Sequence, residues 1–219
     1  MNGMQRIGGI AALVDALTFI VGFALFLTLL APMASGELNP VENVAFVVDH
    51  QAILYTWHLV IYVVFGVFLV VLALALHERI RAGAPALMQI ATVFGLIWAG
   101  LVIASGMVAN VGAAAAIHLY ATDPNQAAAL WLVADTVKTG LGGGNEIVGG
   151  IWLLLVSWAA LQGRTLPRLL NYFGILIGAA GIVTMVPSLA GVGAIFGLGS
   201  IVWFIWAGIV MLGGEQVTA

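Results

Sequence analysis

The sequence LVIYVVFGVFLVVLALAL, residues 59–76, contains no charged residue and is followed directly by HERIR, residues 77–81. An α-helix crosses the hydrocarbon core of a bilayer with about 20 apolar residues, so this stretch predicts a transmembrane helix that ends at a basic turn. The composition extends the prediction to the whole chain, because 63% of its 219 residues are hydrophobic and only 7% are charged. A water-soluble domain of this length could not bury so much apolar surface. The chain is therefore predicted to be an integral membrane protein.

The chain divides into six apolar runs, which predict six transmembrane helices in a single all-α domain covering residues 1–219. The first run, Ile7 to Leu30, is longer than the apolar region of a secretory signal, which has about 7–15 residues. We therefore expect it to be a retained helix. The predicted spans cover residues 8–31, 55–77, 86–109, 141–162, 168–188 and 193–213.

The cationic residues predict how the chain is oriented. With six spans, the N-terminus, the turn between spans 2 and 3 and the turn between spans 4 and 5 all lie on one side of the membrane. Short cytoplasmic loops carry an excess of Lys and Arg, whereas the segments on the other side contain one such residue, Lys138. We therefore expect both termini to be cytoplasmic. The residues that decide this are Arg6, Arg79, Arg81, Arg164 and Arg168.

Two helix starts lie well before their membrane spans. Asn39-Pro40-Val41-Glu42 and Asp123-Pro124-Asn125-Gln126 each place a capping side chain before a proline at the first helical position. Helix 2 is thus predicted from about residue 40 to 79, helix 3 from 85 to 120 and helix 4 from 124 to 162. These helices either extend on the outer side or break near the interface. At least a kink is expected at the glycines of 140–144.

Several polar residues converge near the outer ends of helices 2 to 4. Counting about 1.5 Å per residue from the cytoplasmic ends places them at similar heights, with Glu146 deeper in the membrane. One interpretation is an outward-facing polar pocket that binds a ligand. The other is that Asp135 and Lys138 form a solvated ion pair. The residues of the predicted pocket are His58, Asn110, Asp135, Lys138 and Glu146.

Asp15, Asn145 and Glu146 are predicted to be buried polar groups within the membrane. An ionised side chain there costs about 2.5–3.5 kcal/mol on insertion scales, so each acid is expected to face a cavity or a partner. Glu146 could line the pocket, or it could be protonated and bonded to Asn110 or a backbone carbonyl. Asp15 is expected to bond to Ser157 or Asn171, with a proton or cation relay through Asp15 and Glu146 as the functional alternative.

The sequence offers one candidate cofactor site, a metal site formed by histidines. His50, His58 and His118 could hold a metal near the outer face, with Asp49 beside them, but no metal-binding motif surrounds them. His58 and His118 differ in height by about 16 Å, which argues against membrane haem. The cofactor is left open. A net charge of -3 without a basic cluster argues against nucleic acid as a partner.

Small and aromatic residues predict the packing. Gly174, Gly178 and Gly181 in helix 5, and Gly193 and Gly197 in helix 6, have the spacing that lets helix backbones approach closely. The same glycine-rich helices could join a second copy of the chain or a larger complex. Trp57, Trp203 and Trp206 are expected to be anchors at the membrane interfaces.

The C-terminal half resembles a family of uncharacterised bacterial six-helix integral membrane proteins, classed as a domain of unknown function. The residues that carry the resemblance are GGGNEIVGGIWLLLVSWAAL (142–161), LPRLLNYFGILIGAAGIVTMVPSL (166–189) and FGLGSIVWFIWAGIVML (196–212). The resemblance implies the bacterial inner (cytoplasmic) membrane and the same six helices. It implies no activity, so no functional residue is transferred.

Three functions are compatible with these features. The first is a non-enzymatic membrane protein that binds or transports a small molecule or lipid, or serves as an accessory subunit, through the predicted pocket. The second is a membrane enzyme or redox subunit with a histidine-liganded metal. The third is a structural subunit of a larger membrane complex.

Overall fold

The computed structural model of the protein describes residues 3–143 and 146–213, and all regular structure in these residues is helical. The all-α prediction is therefore confirmed. The first half contains α1 (Gly3–Leu27), α2 (Ala31–Ala34), α3 (Pro40–Asp49), α4 (Gln51–His58), a π-helical segment (Leu59–Val64), α5 (Phe65–Ile80) and α6 (Pro85–Tyr120). The second half contains α7 (Pro124–Lys138), a second π-type segment (Thr139–Gly143), α8 (Ile147–Gly163), α9 (Arg168–Val183), a 3-10 segment (Pro187–Val192) and α10 (Gly193–Gly213).

Five helical stretches are long and apolar enough to cross a membrane. The sixth predicted span, 168–188, corresponds to α9, which has 16 residues and a length of about 24 Å. The protein thus has the helices of a multi-pass membrane protein. The number of membrane crossings is five if α9 does not cross and six if it does. The five stretches are Gly3–Leu27, Gln51–Ile80, Pro85–Tyr120, Pro124–Gly163 and Pro187–Gly213.

Six of the helices pack in a closed ring. Following the chain, α1 contacts α5, α5 contacts α6, α6 contacts α8, α8 contacts α9 and α9 contacts α10, which returns to α1. Neighbours in the ring are antiparallel: Gly9 of α1 lies beside Gly208 of α10, and Gly197 lies beside Phe23. Helices that follow one another in the sequence tend to pack side by side because short connections keep them close.

The centre of the ring is filled by aromatic side chains. The rings of Phe65 and Trp98 lie 5.2 Å apart, those of Trp98 and Trp152 lie 5.6 Å apart, and those of Trp152 and Trp203 lie 5.8 Å apart. Trp203 is completely buried. The expectation that Trp203 is an interfacial anchor was therefore wrong, because its ring fills the space inside the bundle.

Helices α8 and α9 are held together by backbone contact at glycines. A Cβ atom on Gly150 would lie 2.6 Å from the Gly178 carbonyl oxygen, and one on Gly178 would lie 2.7 Å from the Gly150 carbonyl oxygen. Gly174 and Gly181 are also buried. The predicted close approach is confirmed, and its partner is α8 of the same chain. Association of further subunits through α9 and α10 stays a prediction.

The parts of predicted helices 2 to 4 that lie away from the arginines form a second, smaller core, and two of the three helices are interrupted. α6 runs without a break for 36 residues, as predicted. Helix 2 breaks at His50, between α3 and α4, and helix 4 breaks at Gly142, within the segment Thr139–Gly143. The side chains of Asn39 and Asp123 cap α3 and α7, as predicted. The small core contains Leu30, Val44, Val47, Leu54, Ala113, Ala116, Ala127, Ala128 and Trp131.

The arginine-bearing turns meet at one end of the ring, where Arg79 joins three parts of the chain. Its Nε–H donates to the Thr165 carbonyl oxygen at 3.2 Å, and its terminal nitrogen donates to the Gln5 side-chain oxygen at 3.0 Å. Gln5 in turn donates to the Ala75 carbonyl oxygen. The planar guanidinium can make these bonds in two directions at once, which an ammonium on a flexible stem cannot reproduce.

Replacing Arg79 by lysine should lower the free energy of unfolding by about 1–3 kcal/mol, because hydrogen bonds to a charged group are lost while the charge is kept. Titration with a denaturing detergent would measure the loss. Arg81→Lys is the matched control: Arg81 is exposed and pairs only with Glu78 among the described contacts, so we expect a change within about 0.5 kcal/mol. Equal losses in both variants would contradict the role assigned to Arg79.

Candidate functional site

A cavity of about 470 Å³ lies inside the ring, in the half away from the arginines. Its walls come from α1, the π-helical segment with its flanking residues, α6, Gly142 and Glu146 between α7 and α8, and the start of α10. The floor is buried: Thr18 and Trp98 are each 3% exposed and Phe65 is 2% exposed. The mouth is formed by exposed residues, namely Phe26, Ala190, Gly191 and Ala194.

Aromatic rings make up much of the cavity wall. Three of them follow one another along α1 at helical spacing, and the rings of Phe26 and Trp57 stack at 6.3 Å. The Trp57 indole N–H donates to the Gly22 carbonyl oxygen at 3.3 Å, which fixes the orientation of its ring. The aromatic residues that line the cavity are Phe19, Phe23, Phe26, Trp57, Tyr62, Phe65 and Trp98.

The π-helical segment Leu59–Val64 shapes one wall. A π-type turn inserts an extra residue into a helix and redirects the side chains around it, and such turns are frequent at functional sites. Here it coincides with Ile61 and Tyr62, both of which line the cavity. Tyr62 packs closely against α6, since a Cβ atom on Gly106 would lie 2.7 Å from the Tyr62 Cβ. The run of apolar residues in this segment contains no proline, so sequence reasoning missed the interruption.

The break between α7 and α8 shapes another part of the wall. Gly142 has φ 123° and ψ 11°, a conformation that strongly favours glycine, and the kink predicted at 140–144 is therefore confirmed. Gly142 and Glu146 both line the cavity. The Glu146 backbone N–H donates to the Thr184 hydroxyl at 3.2 Å, and that hydroxyl donates to the Gly181 carbonyl oxygen at 2.7 Å. The end of α9 thus holds the start of α8 in place.

The Glu146 side chain is the one carboxylate on the cavity wall, since the other lining residues are apolar apart from Thr18 and Tyr62. It does not cap α8, although Glu146 occupies the position just before the helix. In the part of the chain that the structure describes, the carboxylate makes no hydrogen bond to Asn110 or to a backbone carbonyl, and it has no ion-pair partner. It is therefore available to a bound molecule.

The other four residues of the predicted pocket form two separate pairs. The buried His58 Nδ1–H donates to the Asn110 side-chain oxygen at 3.0 Å. Lys138 forms an ion pair with Asp135, whose side chain is 41% exposed, so the predicted i,i+3 pair is confirmed. His58 lies one layer behind the cavity wall, with its ring 5.9 Å from that of Tyr62. Of the five predicted residues, Glu146 alone lines this cavity.

Asp15 is completely buried, as predicted, but its expected bond is absent. Neither carboxylate oxygen has a hydrogen-bond partner within residues 3–143 and 146–213, and the Ser157 hydroxyl also has none. Asn171 donates instead to the Leu166 carbonyl oxygen at 3.1 Å. The prediction that Asp15 bonds to Ser157 or Asn171 was therefore wrong. Asn145, the third predicted buried polar residue, lies outside the described residues.

The histidines proposed as metal ligands are not gathered into one site. His50 stacks on Phe46 with ring centres 4.0 Å apart, and its Nδ1–H donates to the Phe46 carbonyl oxygen. His58 is bonded to Asn110. Among the residues described, no three His, Asp or Glu side chains come close enough to hold a metal ion. The combination of His50, His58 and His118 therefore has no support in the geometry.

The fold and the cavity define a class: a helical protein with the features of a multi-pass membrane protein and an aromatic cavity with one carboxylate on its wall. Comparison of the chain with family models, with curated proteins and with solved structures found no match.

Proposed function

We propose that this protein binds a small, largely apolar molecule in the aromatic cavity, as a binding or transport protein of the membrane. The observation that carries the proposal is the cavity of about 470 Å³, which lies within the range of about 300–1,000 Å³ typical of small-molecule sites. Its lining is also typical of such sites, because apolar and aromatic side chains surround very few polar groups.

The interrupted helices support the proposal. A π-helical segment and a glycine break both contribute residues to the wall of the same cavity. Irregular backbone is costly inside a membrane and is tolerated where it is buried in protein or lines a cavity, and transporters place broken helices at their binding sites. Two interruptions at one cavity are thus better explained by binding than by packing alone.

The chemistry of the lining favours binding over catalysis. The cavity wall presents one carboxylate and one phenol, from Glu146 and Tyr62, and neither histidine nor a second acid among its lining residues. Acid–base and nucleophilic catalysis each need a second group within hydrogen-bond reach of the first.

We further propose six crossings, with both termini in the cytoplasm and the cavity open to the outside of a bacterial inner membrane. α9 supports the sixth crossing, because it packs along α8 from the arginine end, near Thr165, to Thr184 beside Glu146. A helix of 16 residues can cross where neighbouring helices and local thinning of the bilayer shorten the path.

Binding can be measured with an aromatic probe whose bromine atom quenches tryptophan fluorescence. We expect 1-bromo-4-(2,2-dimethylpropyl)benzene to produce saturable quenching of the protein in lipid nanodiscs, because Trp57 and Trp98 line the cavity. Ala194→Phe should weaken this binding at least about fivefold, since filling the mouth costs on the order of 1–3 kcal/mol of steric strain.

The matched control is Ala179→Phe, which places the same ring on an exposed part of α9 away from the cavity. We expect its saturable quenching to equal that of the unmodified protein. Quenching that rises without saturation, and equally in all three proteins, would show that the probe only partitions into lipid, and it would contradict the proposed binding.

A further inference from the structure

The charges around the cavity leave the Glu146 carboxylate uncompensated. Lys138, the nearest cation along the chain, is engaged by Asp135. The arginines belong to the opposite end of the ring, where Arg79 bonds to Gln5 and Thr165. Among the described residues, no cationic side chain lines the cavity.

The aromatic walls attract positive charge, as a carboxylate does. The face of an aromatic ring is electron-rich, so a cation over tryptophan, tyrosine or phenylalanine is stabilised, and quaternary ammonium ligands are recognised in this way. Trp57 and Trp98 offer the strongest such faces, and Tyr62 and Glu146 line the same cavity. A bound cation would meet ring faces on several sides and a carboxylate on one.

The partial positive charge at the start of α8 does not cancel the negative charge of an ionised Glu146. The first turn of a helix carries the equivalent of about half a positive charge, which offsets only part of the full negative charge of an ionised Glu146. The Glu146 side chain also makes no capping bond to the α8 backbone. With Glu146 ionised, the cavity is therefore attractive to cations and repulsive to anions.

We propose that the ligand is an organic cation: an amine or quaternary ammonium group on an apolar body, with its charge at Glu146 and its body among the aromatic rings. This inference rests on the proposed function and adds the chemical class of the ligand. A positive group at Glu146 also removes the cost of leaving a carboxylate unpaired inside the membrane.

The test compares two probes of the same shape. In (4-bromobenzyl)trimethylammonium a positively charged nitrogen replaces the central carbon of the neutral bromo-neopentylbenzene probe. We expect Glu146→Gln to weaken binding of the cationic probe about tenfold, as loss of a desolvated charge contact does. Binding of the neutral probe should change by less than about twofold. Saturable tryptophan quenching in nanodiscs measures both affinities.

The matched control is Glu78→Gln, which makes the same acid-to-amide change at an exposed residue of the arginine end that does not line the cavity. We expect it to leave the affinities of both probes unchanged. A second variant, Trp57→Leu, removes a ring face without altering the carboxylate. It should weaken the cationic probe several-fold more than the neutral probe, and Trp98 remains as the reporter.

The outcomes test the proposed binding function and the cationic nature of the ligand separately. If neither probe gives saturable quenching, the proposed function itself fails. If the neutral probe binds and neither Glu146→Gln nor Trp57→Leu acts selectively on the cationic probe, the cavity binds apolar molecules without regard to charge. The inference of a cationic ligand is then overturned while the proposed function stands.

Discussion

Replacing Gly150 by valine should lower the free energy of unfolding by more than about 3 kcal/mol, the upper end of the usual cost of overpacking a core. A Cβ atom at this position would lie 2.6 Å from the Gly178 carbonyl oxygen and 2.7 Å from the Ile182 backbone nitrogen. Both obstacles are backbone atoms of α9, so no side chain can rotate away. Valine therefore has to push α8 and α9 apart along their contact.

The consequence should reach the functional site, because α9 also holds Glu146 through Thr184. Unfolding by detergent titration, together with quenching by the neutral probe, would measure both effects. Gly100→Val is the matched control, since a Cβ atom on Gly100 meets nothing within 4 Å. We expect that variant to change stability by less than about 1 kcal/mol. Equal losses at Gly100 and Gly150 would contradict the glycine contact as the cause.

Single cysteines should report the proposed topology as an all-or-none result. The chain contains no cysteine, so each introduced thiol is the only reactive one. We expect Thr122→Cys and Ser188→Cys to react with an impermeant maleimide from outside intact cells. Ala82→Cys should react only after the inner membrane is permeabilised, because it lies in the basic turn between α5 and α6.

Ser188→Cys is the decisive position, since it follows α9. If α9 crosses the membrane, residue 188 lies on the opposite side from residue 82. If α9 does not cross, the two thiols react from the same side, and the count of six crossings is wrong. The unmodified protein is the control for labelling that does not involve an introduced cysteine, and it should remain unlabelled.

Local sequence patterns predicted several elements well. The caps at Asn39 and Asp123 and the kink at the 140–144 glycines are confirmed, because a cap or a glycine run acts on its own few residues. The close approach at Gly178 was also predictable from spacing. Its partner, Gly150, was not, because spacing within one helix does not identify the helix it packs against.

The candidate site was predicted only in part. Glu146 was singled out because a charge at that depth is costly, and the structure places it on the cavity wall. The other four candidates were chosen by height alone. Height along a helix does not say which way a side chain faces. Lys138 was therefore grouped with Glu146 in one predicted pocket, although Lys138 pairs with Asp135. The aromatic rings of the wall were missed because Phe and Trp are common in any apolar helix.

Composition and local patterns were enough to predict an apolar, all-helical protein and the approximate ends of most of its helices. These properties follow from hydropathy, caps and glycines, which act over a few neighbouring residues. Only the tertiary structure decided that six helices close into a ring and that α1, α4, α6 and α10 surround a cavity with Glu146 on its wall. A cavity is a property of distant segments, because it is the space that their side chains leave unfilled when the helices pack.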